Sequence, residues 1–164
     1  MKRIRNVLLA TFVSPELVVL LLIVLWVVYS PNTIDALGKK LRSDSEVWKY
    51  MPTLTLFFSG AAFTLSSKIR APLENSSNRL LYEWPLYPLL VDRVLVSMVF
   101  AATCGAAGFC LWVLGQSLSP RTVGTVFLAA TGVSATTAFS MLLAHQKLRE
   151  LVDRYGADSN NQLR

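Results

Sequence analysis

The feature that most constrains this chain is a run of 21 residues without a charge, Val94 to Leu114, reading VLVSMVFAATCGAAGFCLWVL. About 20 apolar residues in a helix cross a bilayer core of roughly 30 Å. A core helix so long and so apolar is foreign to a soluble chain of 164 residues. A second charge-free block, Leu17 to Tyr29, reads LVVLLLIVLWVVY. Hydrophobic residues make up 53% of the chain and charged residues 16%, against roughly 25% charged in soluble domains. The expected fold is all-α: a single transmembrane domain, 1–164, built as a four-helix bundle in the membrane.

Four spans are placed, at about 7–30, 48–67, 89–115 and 122–145, with a cytoplasmic helical tail at 146–156. The basic start MKRIR followed by an apolar run has the look of an export signal. It lacks a small-x-small cleavage site, so an uncleaved signal anchor is expected. Cytoplasmic flanks retain Lys and Arg. With the amino terminus inside, eleven of the 16 basic residues fall on the cytoplasmic side. Five fall outside: Lys39, Lys40, Arg42, Lys49 and Arg121. The arrangement expected is therefore both termini cytoplasmic, although the segment GKKLR in the first outer loop argues the other way.

Residues 80–93, LLYEWPLYPLLVDR, precede the long apolar run. Tyr82, Trp84 and Tyr87 carry amphipathic rings of the kind enriched at headgroup level. Pro85 and Pro88 interrupt any helix there and suit a fresh start at Pro88. Asp92 and Arg93 then lie about one turn into the third span. Glu16 has two readings. In a helix that begins at residue 7 it would lie roughly 15 Å deep, where a carboxylate is costly. If a helix starts at Ser14 instead, Ser14 caps, Pro15 takes the first turn and Glu16 faces the positive helix end. The cap chemistry favours the second, which brings Glu16 to the depth of Asp92 and Arg93. An ion pair between Glu16 and Arg93, across the first and third spans, is the expectation.

Small residues recur every fourth position: Ala101-x3-Gly105, Ala102-x3-Ala106 and Cys104-x3-Gly108 in the third span, Gly60-x3-Thr64 in the second, and Ala130-x3-Ser134-x3-Ala138 in the fourth. Such spacing lets helix backbones approach closely in lipid, where no hydrophobic drive pairs them. A tight bundle and a homo-oligomer are expected. After His145, Leu148, Leu151, Val152 and Tyr155 recur at helical spacing, with Arg149/Asp153 and Glu150/Arg154 set for i,i+4 pairing and Gly156 as the stop. This stripe either packs on the protein's own cytoplasmic loop or docks a soluble partner. With Tyr82 and Trp84 it is the candidate docking surface.

Catalytic chemistry has little footing. His145 is the one histidine, and Cys104 and Cys110 are six residues apart on one helix, about 9 Å of rise, beyond disulfide reach. No four-ligand metal set can be drawn, and ALGKKLRS lacks the first glycine and the Ser/Thr of a phosphate loop. The sequon Asn75-Ser76-Ser77 falls in an expected cytoplasmic loop. No enzyme activity, cofactor or metal is expected. Direct nucleic-acid binding is not expected either, because the +6 formal charge is spread over membrane flanks, where it meets anionic lipid.

The layout, with a basic exit SSKIR (Ser66 to Arg70) after a small-residue second span and a polar helical tail after the fourth, resembles four-span membrane subunits of bacterial phage-defence and phage-exclusion systems. These are the Kiwa KwaA-like and lambda RexB-like proteins. The resemblance is one of topology and carries over no functional residue. It implies an oligomeric, non-catalytic membrane subunit that anchors or senses at the membrane and docks a cytosolic partner, in the Kiwa case a DNA-binding one. Two alternatives stand beside it: an autonomous pore or membrane-depolarising effector, and an accessory subunit of a transporter or envelope machine.

Overall fold

The computed structural model describes residues 14–70 and 85–162, with side chains for all but residue 70 and residues 151–162. Among these residues the chain is all-helical, without strands. The five helices are α1 Pro15–Tyr29, α2 Pro31–Ser43, α3 Ser45–Arg70, α4 Tyr87–Leu114 and α5 Pro120–Gln162.

Each helix start is written locally. Four of the seven prolines, Pro15, Pro31, Pro88 and Pro120, stand in the first two helical positions, where a missing N–H costs nothing. Ser14 Oγ accepts from Leu17 N at 3.1 Å and Ser119 Oγ from Thr122 N at 3.2 Å. Asp44 Oδ1 accepts from Glu46 N and Val47 N at 3.0 and 3.1 Å. These side chains satisfy amide donors that a helix start leaves without intrahelical partners.

Shared clusters give the path of the chain. Ile69 of α3, Val94 of α4, and Met141 and Leu148 of α5 form one apolar group. Met51 of α3, Leu111 of α4 and Val123 of α5 form another with Leu41 of α2. The first marks a proximal end and the second a distal end, so α3, α4 and α5 run antiparallel in turn. α1 begins at the proximal end, where Glu16 meets Arg93, and finishes at the distal end, where Arg121 Nη2 donates to Val27 O at 3.1 Å. α5 is the central helix and packs against each of the other four.

Small side chains make that centrality possible. Ala130, Val133, Ser134, Thr137 and Ala138 are buried along α5. On the α3–α4 contact, a Cβ on Gly108 would stand 2.9 Å from the Thr55 side chain, and one on Gly105 would stand 3.2 Å from Ser59 Oγ. Ser59 Oγ donates to Ala101 O at 2.8 Å, an interhelical bond. Of the small-residue patterns, Ala101/Gly105, Cys104/Gly108 and Ala130/Ser134/Ala138 lie within the bundle, while Ala102/Ala106 face outward and Gly60 has open space around it.

The segment read as an outer loop is largely helical. α2 leaves α1 at a bend of 102° and lies across the distal end. Ile34, Gly38 and Leu41 form its buried face, at helical spacing. Its approach to α5 is backbone on backbone: a Cβ on Gly38 would stand 1.7 Å from Pro120 O, and one on Gly124 would stand 2.5 Å from Ile34 O. Arg42 then ties α2 to the α4–α5 turn, donating to Leu118 O at 2.9 Å and Gln116 O at 2.8 Å.

Two helical stretches are long and apolar enough to cross a membrane, Tyr87–Leu114 and Pro120–Glu150, or three if the bent α1–α2 pair counts as one span. α3, expected as the second span, is not among them, although it has 26 residues. Thr55, Ser59 and Ser66 lower its apolar content, and all three are buried. The expected stop at Gly156 is not used, because α5 runs through it to Gln162. A glycine inside a helix costs only about 1 kcal/mol, which neighbouring turns can absorb.

The crossing at Gly38 sets a stability test. Gly38→Ala should lower stability by about 1–3 kcal/mol or more through overpacking against Pro120. Gly60→Ala should be neutral or stabilising by up to about 1 kcal/mol. Thermal unfolding of the two variants in detergent checks the contrast.

Candidate functional site

The polar residues that stand out in so apolar a chain meet at the proximal end. Ser14 and Glu16 are fully buried there at the start of α1. Arg93 Nη2 of α4 forms an ion pair with Glu16 Oε2, and Ser97 Oγ donates to Glu16 Oε1 at 3.2 Å. Arg93 and Ser97 are four residues apart, so one face of α4 presents both. Both carboxylate oxygens are thereby engaged, and the carboxylate also sits at the positive end of α1. Asp92 is buried beside Arg93 and is likewise engaged.

A buried charge is tolerated only when it is paired and hydrogen-bonded, and this arrangement meets both conditions. Arg93 keeps 26% of its side chain exposed while Glu16 is wholly enclosed. The arginine thus approaches from the rim and the glutamate from the interior. What the site does chemically is fix α1 to α4. These two helices otherwise have little contact, since α1 packs chiefly on α5 through Val19 and Ile23 against Gly132.

The other candidate residues fall differently. Leu148 is buried with Ile69, Val94 and Met141, so its side chain belongs to the bundle and is not a free docking surface. Leu151, Val152 and Tyr155 lie on α5, but their side chains are outside the described residues, as are Tyr82 and Trp84 altogether. His145 is half-buried on α5. Cys104 is buried and Cys110 exposed, both as free thiols. Among the described residues no three His, Cys, Asp or Glu side chains gather as metal ligands would.

Sequence reasoning missed Ser97, although a signal was present: it is the first hydroxyl after Arg93, one turn on, in an otherwise apolar stretch. It also missed the roles of Arg42 and Arg121, which hold backbone carbonyls at helix ends. Those partners are distant in sequence, and no local pattern announces them.

Set against protein-family models, curated proteins and solved structures, the chain matches none. The class its own features indicate is an all-helical membrane protein: two or three helices suited to crossing a bilayer, and an outer surface of large apolar side chains such as Leu21, Leu22, Phe57, Val99 and Phe139.

Removing either partner of the ion pair should cost about 3–5 kcal/mol, because the other charge is left buried alone. In a cycle of Glu16→Ala, Arg93→Ala and their double variant, the double loss should be well below the sum. The swap Arg93→Glu with Glu16→Arg should rescue only in part, since an arginine would then face the positive end of α1. Thermal unfolding of the purified variants reads all four, and strictly additive losses would show that the contact carries no coupling.

Proposed function

We propose that the chain is a four-span subunit of a bacterial inner membrane that associates with copies of itself and holds a soluble cytoplasmic partner at the membrane, as membrane subunits of phage-defence complexes do. Both termini are cytoplasmic and the subunit itself is non-catalytic. The observation that carries this reading is the continuity of α5. It packs on every other helix and continues without a break beyond Glu150 to Gln162, a projection of about 18 Å. A helix anchored in this way presents its end to the aqueous phase at a fixed position.

The lengths of α3 and α4 suit two of the four proposed spans. Tyr50 to Lys68 on α3 is 19 residues and Arg93 to Trp112 on α4 is 20, rises of about 27 and 29 Å. Both are close to a hydrocarbon core of about 30 Å. Leu54, Leu56, Phe57 and Phe63 give α3 the apolar outer surface that a span needs. Two of the cations that counted against this orientation, Arg42 and Arg121, have structural reasons to be where they are. The pore alternative draws on the Ser/Thr faces of the second and fourth spans. Thr55, Ser59, Ser66, Ser134 and Thr137 are buried within this one chain, which favours their use in packing.

Truncation should follow the structure: removing residues 151–164 leaves Leu148 and the proximal cluster in place. Membrane insertion and thermal stability should hold, while partner co-purification from the native host and phage protection should both be lost. Full protection by the truncated chain would overturn the docking role.

A further inference from the structure

We infer that the distal end of the bundle is an anionic-phospholipid surface, with α2 lying in the plane of the headgroups and Lys40 and Lys49 binding lipid phosphates. The inference rests on the membrane reading above and deepens it. α2 is joined to α1 by a single residue, Ser30, at a 102° bend. If α1 crosses the bilayer, α2 lies nearly parallel to its plane. Its composition suits that position, with an apolar face of Ile34, Gly38 and Leu41 turned onto the bundle and Lys39 and Lys40 exposed. The bundle takes up the apolar face of α2, and its exposed lysines are left to meet a headgroup layer.

The aromatic residues locate that layer independently. Among the described residues every exposed Trp and Tyr is at the distal end: Trp26 and Tyr29 at the close of α1, Tyr50 near the start of α3 and Trp112 near the close of α4. The exposed phenylalanines Phe57, Phe63, Phe109 and Phe139 lie further toward the middle of the bundle. Tyr and Trp concentrate where one end of the ring is apolar and the other wet. Four of them from three helices at one level trace a boundary between lipid and water, and α2 lies at that boundary.

Charge selects the kind of lipid. Lys39 is paired with Asp35 at 2.8 Å, Arg42 and Arg121 are held by backbone carbonyls, Asp44 caps α3, and Glu46 lies exposed in the first turn of α3. Lys40 and Lys49 make no ion pair among the described residues, and both are exposed. Lys49 Nζ lies 5.8 Å from the Tyr50 ring centroid, so an ammonium and an amphipathic ring stand together at the boundary. Two such lysines within a few ångströms of a charged leaflet favour anionic headgroups by about tenfold or more over zwitterionic ones.

The test uses the full chain and the Lys40→Gln/Lys49→Gln double variant. Alkaline carbonate washing of membranes comes first, and release of the wild-type chain would sink the membrane reading itself. The retained protein is then purified in mild detergent, and phosphatidylglycerol or phosphatidylcholine is titrated while native mass spectrometry counts bound lipid. The wild type should hold phosphatidylglycerol about tenfold more tightly, and the double variant should lose most of that preference while keeping its thermal stability. Lys68→Gln, at the proximal end, should leave the distal preference in place. Equal binding of the two lipids by the wild type, or an undiminished preference in the double variant, would overturn the inference with the membrane reading intact.

Discussion

Helices in lipid gain nothing from hiding apolar side chains from one another, so they stay together only where their surfaces come very close. In this chain that requirement falls on α5. Along its middle, from Ala130 to Ala138, the buried residues are alanine, serine, threonine and valine, slim enough for α1, α3 and α4 to pack against its flanks, while glycine lets α2 cross its first turns. The crossing at Gly38 and Gly124 is the extreme case, because no side chain separates the two backbones. Directional bonds then fix what close packing allows: Ser59 to the Ala101 carbonyl, Arg42 to the α4–α5 turn, Arg121 to the end of α1, and Arg93 to Glu16.

The distribution of polar atoms follows from the same constraint. Hydroxyls that would be costly against lipid either turn inward or bond back to their own helix, as Thr64 does to Gly60 O at 3.0 Å and Thr103 to Val99 O at 2.8 Å. Large apolar side chains are displaced outward. The result departs from a water-soluble domain: serines, threonines and alanines share the interior with aliphatic clusters such as Ile69, Val94 and Met141, and many large Leu, Val and Phe side chains are exposed outside. Such an interior favours close and precise helix placement.

Much of this was legible in the sequence, for reasons tied to particular residues. The charge-free run ending at Leu114 fixed the helical class. Ser14-Pro15-Glu16 carried a complete helix start, and that start places Glu16 where α4 offers Arg93. Reading stopped where interactions became long-range. Pro31 to Ser43 looks like a polar loop because its charges dominate, and its apolar face is only three residues wide. What makes it a docked helix is a glycine on α5, more than 80 positions along, that no local window includes. The extent of α5 past Gly156 was hidden for the opposite reason: a residue that commonly ends helices is here simply carried through one.

The single-residue elbow at Ser30 has a mechanical consequence. α2 projects from the end of α1 as an arm of 13 residues, about 20 Å long. A turn of α1 about its own axis by only 10° would sweep the tip of that arm some 3–4 Å, on the order of a full atomic layer. With Gly38 seated on Pro120 and Arg42 clamped to the turn, such a sweep is blocked. The docked arm therefore works as a rotational key. By fixing the azimuth of α1 at the distal end, it determines which way Glu16 points at the proximal end, toward Arg93 and Ser97 and away from the lipid.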